Sequence, residues 1–277
     1  MGNFHCSTNR IPRGLPRGYS LLNEKGIVFI RNFVRMKMIV SPSTTSAFNL
    51  AAEESLFTKK GEDYLLLYLN DPSVIIGSNQ AVMNEVDIDF CIDNNIRIIR
   101  RMSGGGAVYH DRGNFNFAFI HDKRDAPLSA AFLEPVVTVL HKMDIAVTIG
   151  KRKDLWLDGF KISGTASHIS GGRELHHGTL LYDTNLQMLQ RALTTDKRGM
   201  MKKATASVPS PVINIRSYLS STRGEAPDRR IFFNDFSSEL LSLVGSKELT
   251  VLPPSEIVNI EALQKSKYIQ RSWNYRM

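Results

Sequence analysis

The sequence predicts an α+β protein with mixed β-sheets flanked by helices. Three observations carry that expectation. Strand-like and helix-like patterns interleave irregularly along the chain. An Asp158-Gly159 pair separates two short apolar runs, as the turn of a hairpin does. Phe115, Phe117 and Phe119 alternate with Asn114, Asn116 and Ala118 at the period of a strand. A doubly wound parallel sheet would alternate strand and helix regularly and would lack hairpins. No repeat or long linker divides the chain after residue 40, so residues 36–277 are expected to form one domain. Residues 1–35 are expected to be a basic, poorly ordered extension.

Taken in order, Ser46 to Lys59 reads as a helix, with Thr44 to Ser46 as N-cap candidates and Phe48, Ala52 and Leu56 along one face. Leu65 to Leu69 and Val74 to Ile76 read as buried strands around an Asn70-Asp71-Pro72-Ser73 turn. Asp87 to Asn94 spaces Ile88, Cys91 and Ile92 helically, which makes Cys91 a small core residue. Ile96, Ile98 and Ile99 form a β-like run ending in Arg100 and Arg101. Leu133 to Met143 is helical with a bend expected at Pro135. Leu155 to Ile162 is the hairpin, and Gly178 to Tyr182 and Val212 to Ile215 are further strands. Helices are expected at Leu186 to Leu193, Asp235 to Val244 and Ser255 to Lys267.

Composition narrows the function. The longest apolar run, Tyr64 to Leu69, is far too short to cross a bilayer as a helix. Two cysteines, Cys6 and Cys91, build neither a disulfide framework nor a four-cysteine zinc site, so a reduced cytoplasmic protein is expected. The net charge of +8 suggests nucleic acid at first, but residues 1–40 alone hold seven cations against one anion. The remainder is nearly neutral, with no helix-turn-helix and no basic stripe interleaved with aromatics, so nucleic acid is not the expected partner. The start carries no apolar run of signal-peptide length; its Arg-rich, acid-poor composition suits an organellar presequence but lacks the amphipathic helix, so an over-long start ahead of Met36 or Met38 is the expectation.

Three stretches carry chemistry. The first is Arg100-Arg101-Met102-Ser103-Gly104-Gly105-Gly106-Ala107-Val108-Tyr109-His110-Asp111. Consecutive glycines let backbone N–H groups approach an anion, although a tight hairpin bend uses the same residues. No Gly-Lys-Ser/Thr follows, and the Gly-x-Gly-x-x-Gly spacing is absent, which excludes two common nucleotide loops. Arg101 would supply counter-charge, while Arg100 reads as a solvated strand end. The second stretch runs from Lys153 to Ala166. Alternation sends Phe160 and Ile162 one way and Lys161 and Ser163 the other. Lys161 suits developing negative charge on an acyl phosphate, or is a solvated strand lysine. Asp154 is a candidate magnesium ligand or a strand-end cap. The third stretch is Leu175-His176-His177-Gly178-Thr179-Leu180-Leu181, whose adjacent histidines face opposite sides of a strand and so do not share a zinc ion.

In this order, the three stretches resemble the lipoate–protein ligase A family. The pattern of two arginines, Ser-Gly-Gly-Gly-Ala-Val, an aromatic and His-Asp stands at Arg100 to Asp111. Asp-Leu with Lys-Ile-Ser-Gly-x-Ala stands at Asp154 to Ala166, and His-His-Gly-Thr-Leu-Leu at His176 to Leu181. The resemblance covers roughly residues 38–277. It implies a catalytic domain shared with biotin ligases, built on curved mixed sheets. It implies a reaction too: lipoate and Mg-ATP give lipoyl-AMP, and an acceptor lysine then displaces AMP. Acceptors would be lipoyl domains of 2-oxoacid dehydrogenase complexes or the glycine cleavage H protein.

By the same resemblance, Arg101, Gly106, Ala107, Val108, Tyr109 and Lys161 would bind the nucleotide. Tyr68, Gly77, Gly105, Gly106, His110 and Lys161 would bind the lipoyl group. Lys161 would be catalytic and Asp154 would hold Mg2+. Four departures stand out: Tyr68 where tryptophan is common, Lys153 for asparagine, His168 for arginine, and no small accessory domain after Met277. The chain is therefore expected either to complete the cycle alone or to need a separately encoded accessory protein. The main alternative is a lipoyl or octanoyl transferase that uses preformed lipoyl-AMP or another acyl donor. A thioester route needs a nucleophilic thiol, and no cysteine falls after residue 91.

Overall fold

The computed structural model describes residues 36–276 except 125, 127, 128, 197–200, 202 and 247. The basic extension, and with it Cys6, lies outside the described residues. Three sheets organise the rest. The largest has the order β1 (Lys37–Val40), β2 (Tyr64–Leu69), β6 (Asn114–Asp122), β11 (Arg173–Leu181), β10 (Thr165–Ser170). Its β1 and β2 are parallel and its other pairs antiparallel. The second sheet sets β3 (Ser73–Ile76) parallel to β4 (Arg97–Arg100) and antiparallel to β5 (Val108–His110). The third joins β7 (Thr148–Ile149), β8 (Leu155–Leu157) and β9 (Phe160–Ser163).

The uninterrupted apolar run of β2 has a simple cause: both of its faces are covered. Leu65 and Leu67 pack with Phe115, Phe117 and Phe119 of β6 against α4 (Glu134–Lys142) and α7 (Arg229–Leu243). Leu66 and Tyr68 face the other way, onto α1 (Ser46–Phe57). That helix is buried almost all round rather than along one stripe, because α8 (Pro254–Leu263) covers its back. A helix so enclosed carries its one inward acid, Glu53, into the interior. On β6, Asn114 and Asn116 share the α1 face, where they are buried and hydrogen-bonded.

On the face of the second sheet turned away from the first, α2 (Val82–Glu85) and α3 (Ile88–Asp93) cover β3 and β4. The Asp87 side chain caps α3 by accepting from the Phe90 N–H. Cys91 is fully buried there, and burial pushes its thiol up to about 12. The hairpin turn is as expected: Asp158 and Gly159 both have positive φ, 50° and 79°, which suits a two-residue turn.

Several expectations need correction. Val212 makes only an isolated bridge to Lys161, and Ile215 opens α6 (Ile215–Arg223), so Val212 to Ile215 is not a strand. Pro135 sits in the first turn of α4, where its missing N–H is harmless, and does not bend the helix. The last long helix stops at Leu263 and continues as a π turn, Gln264–Tyr268. Further on come α5 (Leu186–Ala192), following β11, and a terminal turn α9 (Arg271–Asn274). Arg100 is wholly buried, not solvated: its guanidinium donates to the carbonyls of Gly77, Ser78, Gln80, Trp273, Asn274 and Arg276. It therefore ties the end of the chain to the second sheet.

Candidate active site

A cavity of about 300 Å3 opens where the three sheets meet. The first sheet contributes Tyr68, Asn116, His177 and Thr179, and the second contributes Ile75, Val108 and His110. Lys161 comes from β9 and Asp154 from the residue before β8. Gly105, Gly106 and Ala107 form one wall, and Thr205 to Val208 cover them. The glycine bend and the hairpin lysine thus share one cavity.

The bend is held from below and above. Gly105 has φ +88°, a conformation that favours glycine. A Cβ on Gly77 would lie 2.2 Å from the Gly105 carbonyl oxygen, so the two backbones touch only because Gly77 has no side chain. Above the bend, the Ser207 hydroxyl accepts from the Ala107 N–H at 2.8 Å, and the Ser207 N–H donates to the Glu85 carboxylate. Arg101 staples the interior. Its Nε donates to Ser103 Oγ, its Nη1 to the Ile75 carbonyl, and its Nη2 to the Gly104 and Gly106 carbonyls at 2.6 and 2.8 Å. Four of its five N–H groups are thereby committed to protein. Burial pulls this guanidinium down to about 10, with Glu53 opposing, so it is charged at neutral pH.

The staple continues into a buried network. Ser103 Oγ lies 2.7 Å from His177 Nε2, and His177 Nδ1 lies 2.8 Å from Glu53. Glu53 also accepts from the Tyr68 hydroxyl. A carboxylate only accepts, so His177 Nδ1 donates to Glu53, while Nε2 is paired with the Ser103 hydroxyl. Serine, histidine and acid stand in the order of a hydrolytic triad, yet Ser103 is wholly buried and already accepts from Arg101. Its role is to hold the bend. Burial, then Glu53, raises Tyr68 well above the usual phenol range, so it is a neutral donor.

His110 is fixed by a second chain of amides. Asn49 Nδ2 donates to Asn70 Oδ1, which turns Asn70 Nδ2 toward His110 Nδ1 at 2.9 Å. An amide N–H2 only donates, so Nδ1 accepts and the ring proton sits on Nε2. That Nε2 is buried at the cavity and has no protein partner among the described residues. Burial, then Arg101 and His177, lower this imidazole to about 3, so it is neutral. A fixed neutral N–H donor thus stands buried on a residue that lines the cavity.

The charged corner lies opposite. Lys161 Nζ is 3.4 Å from Asp154 Oδ2, and Arg152 Nη2 approaches the same oxygen at 3.9 Å. Burial raises the Asp154 carboxyl, but the Trp156 N–H and the Lys161 ammonium outweigh it and leave the group below its ordinary value. Backbone bonds to Pro211 and Ile213 clamp Lys161 at the end of the hairpin.

Most residues named from the sequence line this cavity: Tyr68, Arg101, Gly105, Gly106, Ala107, Val108, His110, Asp154 and Lys161. Two do not. Gly77 lies beneath the bend, where its place is set by close backbone approach. The Tyr109 side chain packs into the cluster of β3, β4 and α3, because alternation along β5 turns it away from Val108 and His110. Sequence reading missed Glu53, Asn116, His177, Ser207 and Arg152. Glu53 gives no local signal, since only tertiary packing distinguishes an inward acid from the other acids of a helix. His177 stands in the third stretch, but nothing local to it reveals Glu53 as its partner.

Residues 45–241 match the lipoyl protein ligase A/B catalytic domain. The chain belongs to that family. Lipoate-protein ligase LplJ of Bacillus subtilis (strain 168) is 36% identical over 237 residues, which is 82% of this chain and 69% of that protein. A bi-partite lipoate protein ligase from Thermoplasma acidophilum, studied with its E2 lipoyl domain, superposes with a TM-score of 0.71 at 25% identity. That match covers 87% of this chain and 96% of the other. A lipoate-protein ligase A bound with ATP gives a TM-score of 0.71 at 25% identity, over 87% of this chain and 98% of that one. No helix among the described residues is long and apolar enough to cross a membrane.

Proposed function

We propose that this family member is an ATP-dependent lipoate–protein ligase, which makes lipoyl-AMP and transfers the lipoyl group to a lysine of a lipoyl domain. The observation that carries the reading is the combination inside one cavity. An apolar wall of Leu50, Tyr68 and Ile75 leads to a glycine bend and then to the Lys161–Asp154 corner. The wall suits the hydrocarbon of a medium-length acyl chain. The bend leaves room for a phosphate to approach backbone, and the lysine can contact acyl and phosphoryl oxygens together.

Carboxylates are poor acyl donors, because neither oxygen leaves readily. Joining the carboxylate to AMP makes a mixed anhydride whose leaving group is a stable phosphate monoester. Lys161 would lower the negative charge on both sides of that anhydride, in adenylation and again when the acceptor amine attacks. The His110 Nε2–H would donate to an oxygen of the bound molecule. Tyr68, Gly105 and Gly106 would line the lipoyl path, and Ala107 and Val108 would border the nucleotide. Mg2+ would arrive with ATP: Asp154 is the one acid among the described lining residues, and one carboxylate plus substrate phosphates is a donor set magnesium commonly takes.

Acceptors in this reading are lipoyl domains of 2-oxoacid dehydrogenase complexes or the H protein. A separately encoded accessory protein is a further partner in this reading only where the chain by itself fails to make lipoyl-AMP; the similar ligase of Thermoplasma acidophilum is bi-partite. The compartment is the cytoplasm. The competing thioester transferase is disfavoured by Cys91, which is buried and held as a thiol.

The test is to mix the chain with lipoate, Mg-ATP and a purified lipoyl domain, and to read the mass of the acceptor. Gain of one lipoyl group, lost when ATP is omitted and lost in Lys161→Ala, is expected. Removing one such charge-stabilising donor is expected to slow turnover by roughly 10²–10³-fold. Equal modification from an acyl thioester without ATP would overturn the proposal.

A further inference from the structure

We propose that Arg152 binds the β- and γ-phosphates of ATP and stabilises the departing pyrophosphate, leaving Arg101 to shape the glycine bend. This rests on the ligase reading above. Two arginines line the cavity, and the structure gives them opposite environments. Arg101 is 5% exposed and donates four N–H groups to a hydroxyl and three carbonyls. A phosphate reaching it would have to take the donors that hold the bend. Arg152 is about half exposed at the side chain (48%), with one 3.2 Å bond to the Ser210 hydroxyl and a loose 3.9 Å approach to Asp154. Its fork is open to a polyanion.

Position agrees with chemistry. Leu50 and Ile75 are buried at one end of the cavity, whereas Arg152 and Val208 are exposed at the other. Lys161 shares the Asp154 oxygen with Arg152 and is itself largely buried, with its side chain 21% exposed. An acyl tail seated in the apolar end brings its carboxylate to Lys161, and the phosphate chain then runs outward past Arg152. In adenylation a carboxylate oxygen bonds to the α-phosphorus. The bond from that phosphorus to the bridging oxygen of the β-phosphate breaks, and its electron pair leaves with pyrophosphate. No proton is needed. The charge that grows on the bridging oxygen grows beside Arg152, at the end from which pyrophosphate can reach water.

The experiment compares ATP, AMP and pyrophosphate binding to the full chain and to Arg152→Ala by calorimetry. It then compares the two half-reactions: lipoate-dependent exchange of pyrophosphate into ATP, and transfer from preformed lipoyl-AMP to a lipoyl domain. Losing a charge-assisted contact should weaken ATP and pyrophosphate roughly 10- to 100-fold and leave AMP within about twofold. Exchange should fall with ATP affinity, transfer from lipoyl-AMP should persist, and Arg152→Lys should recover part of the loss. Unchanged ATP binding, or equal weakening of ATP and AMP, would overturn the assignment to Arg152 while leaving the ligase reading in place. A wild-type chain that binds neither nucleotide would overturn both.

Discussion

Replacing Arg101 by alanine should unfold the glycine bend before it does anything specific to a nucleotide. The side chain is 5% exposed, and its removal leaves the carbonyls of Ile75, Gly104 and Gly106 and the hydroxyl of Ser103 without their donor. It also removes a buried positive charge that interacts with Glu53, whose carboxylate keeps its bonds from His177 and Tyr68. Breaking a buried, hydrogen-bonded charge in this way costs about 3–5 kcal/mol. For a domain of this size each kcal/mol lowers Tm by about 2–4 °C, which gives a drop of roughly 6–20 °C. Thermal unfolding followed by circular dichroism, with denaturant midpoints alongside, reads the effect directly. Arg101→Lys should recover little, since a single ammonium cannot replace a planar fork bonded to four acceptors. A variant that melts within about 2 °C of the parent and loses only ATP affinity would refute this reasoning.

Other outcomes follow from the same geometry. Gly77→Ala places a methyl 2.2 Å from the Gly105 carbonyl, backbone against backbone, so the bend must move. Lipoylation should fall sharply while far-ultraviolet circular dichroism stays native, and normal turnover would show that the bend tolerates displacement. His110 is held neutral down to about pH 3, whereas an unfolded histidine takes up its proton near pH 6.5. Between those values the unfolded state binds more protons, so stability falls as pH drops through the window. His110→Gln should make the decline of Tm with acid shallower; an unchanged slope would mean that other groups set it. His121, His168 and His176 shift in the same direction, so part of the slope should remain. Native protein treated with a thiol alkylator should keep its activity, because Cys91 is buried with its thiol pushed up to about 12. Rapid inactivation, absent in Cys91→Ala, would reopen the thioester route.

Legibility varied with how local each signal was. The Phe115–Phe119 alternation and the Asp158-Gly159 turn each depend on a few neighbouring residues, and both stand in the fold as read. Val212 to Ile215 read as a strand because β-branched residues favour extended backbone, yet only Val212 bridges another strand and Ile215 begins a helix. Arg100 and Arg101 look alike in sequence. One anchors the chain terminus and the other the glycine bend, and no local rule separates them.

From sequence alone came the fold class, the three ordered stretches, the family they resemble, and a bend and lysine expected on one anhydride. Periodicity, turn chemistry and motif spacing are properties of contiguous residues, so they survive without coordinates. Tertiary structure alone decided which cations point outward with open donors, which nitrogen of His110 carries its proton, and that Glu53, from a helix far upstream of the glycines, completes the network beneath them. Those facts depend on burial and on hydrogen-bond partners drawn from distant segments, which exist only once the sheets have closed around the cavity.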